Sequence, residues 1–85
     1  MVEAVRVTVG LTAVQLYAAS GGGVARLKAT NRGTVSVFIG ADATVVTTTG
    51  YELAAGATVD LVLESGDEVF AISGTAGQVV HLLRT

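Results

Sequence analysis

One histidine and four serines are the residues in this sequence whose side chains could serve as catalytic base and nucleophile. His81 alternates with Val79 and Leu83, so it is expected on a strand face among aliphatic side chains. A hydrolase triad needs a nucleophile, a base and an orienting acid in mutual contact. No serine stands in the Gly-x-Ser-x-Gly context of a nucleophile elbow; the four are Ser20, Ser36, Ser65 and Ser73. We therefore interpret His81 as a structural or interface residue, and we assign no catalytic residue and no enzymatic activity.

Metal and cofactor chemistry also lack a supporting pattern. Glu64, Asp67 and Glu68 form one acidic cluster, whereas a calcium site takes six to eight oxygen ligands. The sequence contains no cysteine and a single histidine, which excludes zinc–thiolate sites. The glycines at 21–23 are not followed by the Lys-Ser/Thr pair and helix of a phosphate-binding loop. The acidic cluster is expected to be a solvated turn and the glycines a flexible one, with no metal or cofactor.

The two tyrosines leave two interpretations open. Tyr17 and Tyr51 could stack on a sugar ring, or they could anchor a protein interface, where aromatic side chains are enriched. Two tyrosines in 85 residues are few for a carbohydrate-binding platform.

The composition indicates a protein that contacts other proteins. Of the 85 residues, 51% are hydrophobic and only 14% are charged, against about a quarter in ordinary soluble domains. A single domain of this length has a thin core and more apolar surface than that core can bury. The longest apolar runs are far below the roughly 20 residues of a membrane-spanning helix. The five basic residues are scattered and the net charge is −2, so neither a membrane nor a nucleic-acid partner is expected.

The pattern along the chain predicts strands. Fifteen valines and eleven threonines lie in short runs separated by glycine-rich turns. We predict one all-β domain over residues 1–85, an antiparallel β-sandwich or jelly-roll-like barrel of about seven to eight strands. The predicted strands include residues 12–18, 34–39 and 78–84. The last is apolar on both sides, so it is either central in a sheet or covered by a neighbouring element.

Two local features carry further expectations. Val5, Val7 and Val9 share one face of a first strand. Residues 1–9 are expected to form either an ordinary strand of the sandwich or an arm that pairs with the sheet of a neighbouring molecule. The segment Asn31-Arg32-Gly33 is expected to be a tight connection in which asparagine and glycine tolerate positive φ.

From residue 31 onward the sequence resembles small all-β proteins of the head and tail modules of tailed bacteriophages. The matching stretches are NRGTVSVFIG at 31–40, TTTGYEL at 47–53, Ala55-Gly56, Leu61, Gly66-Asp67, Ala71 and GTAG at 74–77. These proteins are similar to capsid decoration (cement) proteins and head-fibre bases. The resemblance implies a structural virion protein, made in the bacterial host cytoplasm, that lies on the outer capsid surface. Its implied partners are the major capsid protein and copies of itself, with a homotrimer expected.

The resemblance and the apolar surplus lead to one leading hypothesis. The chain would stabilise contacts between capsid subunits, and its candidate interface residues are Val5, Val7, Val9, Tyr17, Tyr51 and His81. Two alternatives remain: a small carbohydrate- or receptor-binding module, and a minor head or tail subunit present in few copies per particle.

Overall fold

Eight β-strands make up the regular structure in the computed structural model, which describes residues 3–18 and 24–84. The strands are β1 (Glu3–Val9), β2 (Val14–Ala18), β3 (Val24–Asn31), β4 (Val37–Gly40), β5 (Tyr51–Leu53), β6 (Thr58–Glu64), β7 (Glu68–Ser73) and β8 (Gln78–Arg84). Those residues include no helix that is long and apolar enough to cross a membrane. The glycines at 21–23, for which we expect a flexible turn, lie outside the described residues.

The strands form two four-stranded antiparallel sheets. Sheet A has the order β1-β8-β3-β6, and sheet B has the order β2-β7-β4-β5. Successive strands cross from one sheet to the other, except β4 and β5, which pair within sheet B. This order of two interleaved four-stranded sheets is that of a jelly roll. The prediction of a small all-β sandwich is confirmed.

The core lies between the two sheets and follows the period-two alternation of the strands. Inward-facing side chains from both sheets form one cluster, which includes Val9, Leu27, Val37, Val80 and Leu82, all between 0% and 3% exposed. Strand β8 lies between β1 and β3 and contributes Val80 and Leu82 to this core. Its apolar character on both sides therefore reflects a central position, the first of the two alternatives.

Strand β1 pairs with β8 of its own chain over its whole length, from Glu3 opposite Arg84 to Val9 opposite Gln78. Residues 3–9 are thus a strand of the sandwich in this structure, and residues 1–2 lie outside the described residues. Burial increases along the strand, from Val5 at 40% exposed to Val9 at 0%. The inward orientation of the valines agrees with the predicted alternation.

Two buried amide side chains, Asn31 and Gln78, hold the connection from β3 of sheet A to β4 of sheet B. We call this pair the polar clip. Asn31 Nδ2 donates to the carbonyl oxygens of Val35 and Leu53, each at 2.9 Å. Gln78 Oε1 accepts from the backbone N–H groups of Thr34 at 2.7 Å and Val35 at 3.1 Å. Both amides are nearly inaccessible, at 0% and 4% exposed. The clip supplies hydrogen-bond partners to the backbone of Thr34 and Val35, which lie outside the strands.

The polar clip explains two departures from the sequence-based expectations. Strand β4 begins at Val37 and not at residue 34, because the Thr34 and Val35 N–H groups bond to Gln78 and not to a neighbouring strand. Asn31 and Gly33 have no positive φ. Gly33 is needed for close approach, since a Cβ there would overlap the Gln78 side chain.

Strand β2 is shorter than expected and bulged. It starts at Val14, and its register against β7 shifts between Gln15 and Tyr17. The extra residue at Leu16 breaks the alternation, as a β-bulge does. Leu16 is buried, and because of the bulge the next residue, Tyr17, also faces inward, opposite the buried Val69.

Candidate interaction surfaces

His81 and the hydroxyl groups of Ser36 and Ser73 lie on different sheets or faces, and Ser20 lies outside the described residues. His81 lies half-buried on the outer face of sheet A, opposite Arg6 of β1 and Thr30 of β3. Ser73 is buried on the inner side of β7 and donates its hydroxyl hydrogen to the Ser36 carbonyl oxygen at 3.2 Å. The Ser36 hydroxyl donates to Glu52 Oε2 at 2.8 Å. The Ser73 hydroxyl thus bonds to backbone, and the Ser36 hydroxyl bonds to a neighbouring side chain.

The acidic cluster, Glu64, Asp67 and Glu68, forms hydrogen bonds within its turn and with β2. The Glu64 N–H donates to Asp67 Oδ2 at 2.8 Å, and Gln15 Nε2 donates to Glu68 Oε2 at 3.1 Å. The 64–67 turn links β6 of sheet A to β7 of sheet B. Within the part of the chain that the structure describes, no three His, Cys, Asp or Glu side chains are grouped so that they could hold a metal ion.

The loop at 41–50 covers part of sheet B from outside. Val45 is 7% exposed, yet it lies apart from the core cluster between the sheets. A Cβ on Gly40 or Gly50 would come within 2.6 Å and 2.9 Å of the Val45 side chain, so both glycines allow the loop to approach. At the start of the loop, the Thr44 hydroxyl and N–H donate to Asp42 Oδ1 and hold the pKa of that carboxyl below its usual value.

The outer face of sheet A combines cationic and apolar side chains. Arg6, Arg26 and Lys28 lie on it, three of the five basic residues, together with the carboxylates of Asp60 and, at the end of β6, Glu64. Next to the basic residues are Val62, 65% exposed, and Leu83, 38% exposed. An open depression of about 340 Å³ is lined by Arg26, Lys28, Asp60, Val62 and Leu83, among others. This mixture is typical of protein contact surfaces, where apolar area is bordered by charge.

The outer face of sheet B has the opposite character. Phe38, Phe70 and Ile72 are half-buried there, and Glu52 and Glu68 lie beside them. The two broad faces of the molecule therefore differ in charge: basic side chains outnumber the two carboxylates on sheet A, whereas Glu52 and Glu68 are the charged residues named on sheet B.

The six interface candidates from the sequence fall into three groups. Val5 and Tyr51 are exposed, at 40% and 65%. Val7, Tyr17 and His81 are half-buried, and the Arg84 guanidinium lies 5.8 Å from the centre of the Tyr17 ring. Val9 is 0% exposed, so in this fold it belongs to the core and to no surface. The six do not form one patch, because Tyr17 and Tyr51 lie on the two edge strands of sheet B and His81 lies on sheet A.

Sequence reasoning did not single out the other exposed apolar residues as interface candidates. Val62 and Leu83 are the clearest examples, and Val46 is 44% exposed in the loop over sheet B. Val62 could have been found, because it occupies the solvent-facing register of β6 shared by Thr58 and Asp60. The exposed valine is thus visible in the alternation, and a single exposed apolar residue is common on protein surfaces.

Comparisons with known proteins give a structural likeness only. No protein-family model matches the sequence, and no curated protein sequence matches it. The fold is similar to that of a chain from a solved structure described as "Bacillus endospore appendages form a novel family of disulfide-linked pili", with a TM-score of 0.59 and 19% sequence identity. The alignment covers 99% of this chain and 83% of that chain. At this identity the likeness shows a shared all-β fold.

Proposed function

We propose that this chain is a non-enzymatic structural protein of a virus particle, a decoration protein on the outer capsid surface of a tailed bacteriophage. In this role it binds the major capsid protein, associates with copies of itself as a trimer, and stabilises contacts between capsid subunits. It needs no cofactor and contacts neither nucleic acid nor membrane.

The observation that carries the proposal is the exposure of large apolar side chains on a small domain. Seven such residues in the described part of the chain are between 38% and 65% exposed: Val5, Leu11, Val35, Val46, Tyr51, Val62 and Leu83. Burial of apolar surface contributes roughly 25 cal/mol per Å², so covering these side chains against a partner is favourable. A decoration protein uses such area across the joints between capsid subunits, and many weak contacts add up over a symmetric shell.

The distribution of polar groups supports a structural role. The buried polar side chains Asn31, Ser73 and Gln78 all bond to backbone groups of the chain itself. The depression on sheet A is open to solvent, unlike the enclosed pockets that hold small ligands.

The structural neighbour favours a second candidate, a subunit of a surface appendage. That neighbour comes from a disulfide-linked pilus, as its description states. The 85 residues contain no cysteine, so an appendage built from them would have no disulfide links between these residues.

Phage particles that encode this chain provide the test. We expect quantitative mass spectrometry of purified virions to find the chain in hundreds of copies. We also expect particles lacking it to release DNA at a lower temperature. A minor head or tail subunit would be present in few copies, and an appendage subunit would be found in filaments and not in virions. Either result would contradict the decoration role.

A further inference from the structure

The two sheets differ in how their edge strands are protected. In sheet B, β5 has three residues and β2 carries a bulge. In sheet A, the edge strands β1 and β6 each have seven residues and pair on their inner sides without a register shift. Short or bulged edges resist the addition of another strand, whereas long regular edges accept one. Sheet A is therefore the sheet that another chain can extend.

We propose that β1 of one molecule pairs antiparallel with β6 of the next, so that sheet A continues from copy to copy in a head-to-tail assembly. The proposal rests on self-association, which is part of the proposed function, and it names the interface. Because sheet A has four antiparallel strands, its two edges run in opposite directions. A second copy in the same orientation thus meets the first as an antiparallel neighbour, with its outer face on the same side.

The outer-face side chains of the two edges match in one register. Placing Arg6 opposite Asp60 brings a cation to a carboxylate, and the flanking pairs become Ala4 with Val62 and Thr8 with Thr58. Opposite charges, threonine pairs and apolar pairs directly across two strands all stabilise a sheet. Val62, 65% exposed in the single chain, gains a neighbour in this register.

The inward-facing side chains match in the same register. Val5 then lies opposite Leu61, and Val7 opposite Val59. Val7, Val59 and Leu61 pack against the core but remain only partly buried, and Val5 is 40% exposed. Pairing the edges would extend the core across the junction and complete the burial of this row.

Symmetric pairings of the same edges fit less well. Two β1 strands in full antiparallel overlap place Arg6 opposite Arg6, and like charges directly across two strands are destabilising. Two β6 strands in full overlap place the carboxylate of Asp60 opposite Val62. The complementary pairing is therefore the head-to-tail one, which closes into a ring when the rotation between copies allows it and otherwise grows as a filament.

Charge reversal tests the pairing in solution. We expect R6E and D60K each to weaken self-association about tenfold in sedimentation velocity, since each places like charges at the junction. The double variant R6E/D60K should recover wild-type association. Within one chain, Arg6 and Asp60 are on opposite edges of sheet A, so recovery requires contact between copies.

The control is R26E, which makes the same change of charge on the outer face of a central strand, β3. We expect R26E to associate like the wild type, and R6E and R26E to keep the wild-type melting temperature as dilute chains. D60K also removes the carboxylate opposite Lys28 of β3 within the same chain and should melt at a slightly lower temperature, so its association is compared with that of R6E/D60K. An equal effect of R26E and R6E, no recovery in the double variant, or a wild-type chain that stays monomeric would each overturn this interface. The copy number in virions would still decide the proposed function separately, because binding to the capsid does not depend on this junction.

Discussion

Replacing Gln78 by methionine should destabilise the fold far more than the same change at an exposed glutamine. Methionine has nearly the volume of glutamine but no carbonyl oxygen, so the change removes hydrogen bonds without opening a large cavity. In the native structure that oxygen accepts from the N–H groups of Thr34 and Val35 at 2.7 Å and 3.1 Å, and Gln78 is 4% exposed.

The expected loss of unfolding free energy in Q78M follows from the two backbone donors, the N–H groups of Thr34 and Val35, that are left without a partner. An unsatisfied buried donor costs about 1–3 kcal/mol. The connection can open partly to water, which reduces this cost, so we expect Q78M to lose about 2–4 kcal/mol. A domain of this length has a total stability of roughly 4–13 kcal/mol. The matched control is Q15M, whose amide donates to Glu68 at the exposed surface and whose loss should cost about 0.5 kcal/mol or less.

The assay is urea unfolding followed by circular dichroism, with wild type and both variants at one protein concentration. The concentration must be fixed because self-association raises apparent stability. Hydrogen exchange adds a local measure: the Thr34 and Val35 amides should exchange slowly in the wild type and lose protection in Q78M. Equal stability of Q78M and Q15M, with unchanged protection at those two amides, would refute the role of the polar clip.

Two further substitutions test the core and the turn geometry in the same unfolding assay. V37A should lower the free energy of unfolding by about 2–4 kcal/mol because Val37 is 0% exposed. Its control is V35A, at a residue 38% exposed, which should lower it by less than about 1 kcal/mol. Equal losses would contradict the assignment of the core. G56A should lower the free energy of unfolding by about 1 kcal/mol or more because Gly56 has φ of 81°. Its control is G74A, at a glycine with open space around it and no positive φ, which should leave the stability almost unchanged. Equal effects of the two would contradict the left-handed turn.

The alternation of side chains made much of this fold predictable. In β6, Val59, Leu61 and Leu63 alternate with Thr58 and Asp60, and the structure turns the first set towards the core. Period-two patterns are local, so they can be recognised without knowledge of the rest of the fold. The apolar character of β8 on both sides likewise predicts a strand that is either central or covered, and the structure shows it to be central.

The features that the sequence did not reveal depend on contacts between distant residues. Gln78 accepts hydrogen bonds from residues 43 and 44 positions away, and a glutamine in a strand normally indicates a solvent-facing position. The bulge at Leu16 and the packing of Val45 over Gly40 also depend on tertiary neighbours. Alternation places Val9 and Val5 on one face without showing how deeply each position is buried, so the sequence predicts an interface residue at Val9 where the structure has a core residue.

Many residues that carry the resemblance to phage structural proteins have roles in this fold. Asn31 is part of the polar clip, and Gly33 allows the chain to lie close to Gln78. Gly40 and Gly50 leave room for Val45. Three further glycines have positive φ: Gly56, Gly66 and Gly77. The resemblance is therefore informative about the architecture first. The exposed apolar side chains and the open edges of sheet A are the features that support the proposed function.

A cryo-electron microscopy reconstruction of phage particles that encode this chain tests the central claim most directly. The account predicts jelly-roll density on the outside of the capsid, repeated at equivalent positions, with the exposed apolar side chains covered by capsid protein or by a second copy. Particles without such density, or density in which Val62, Leu83 and Tyr51 all face solvent, would contradict it.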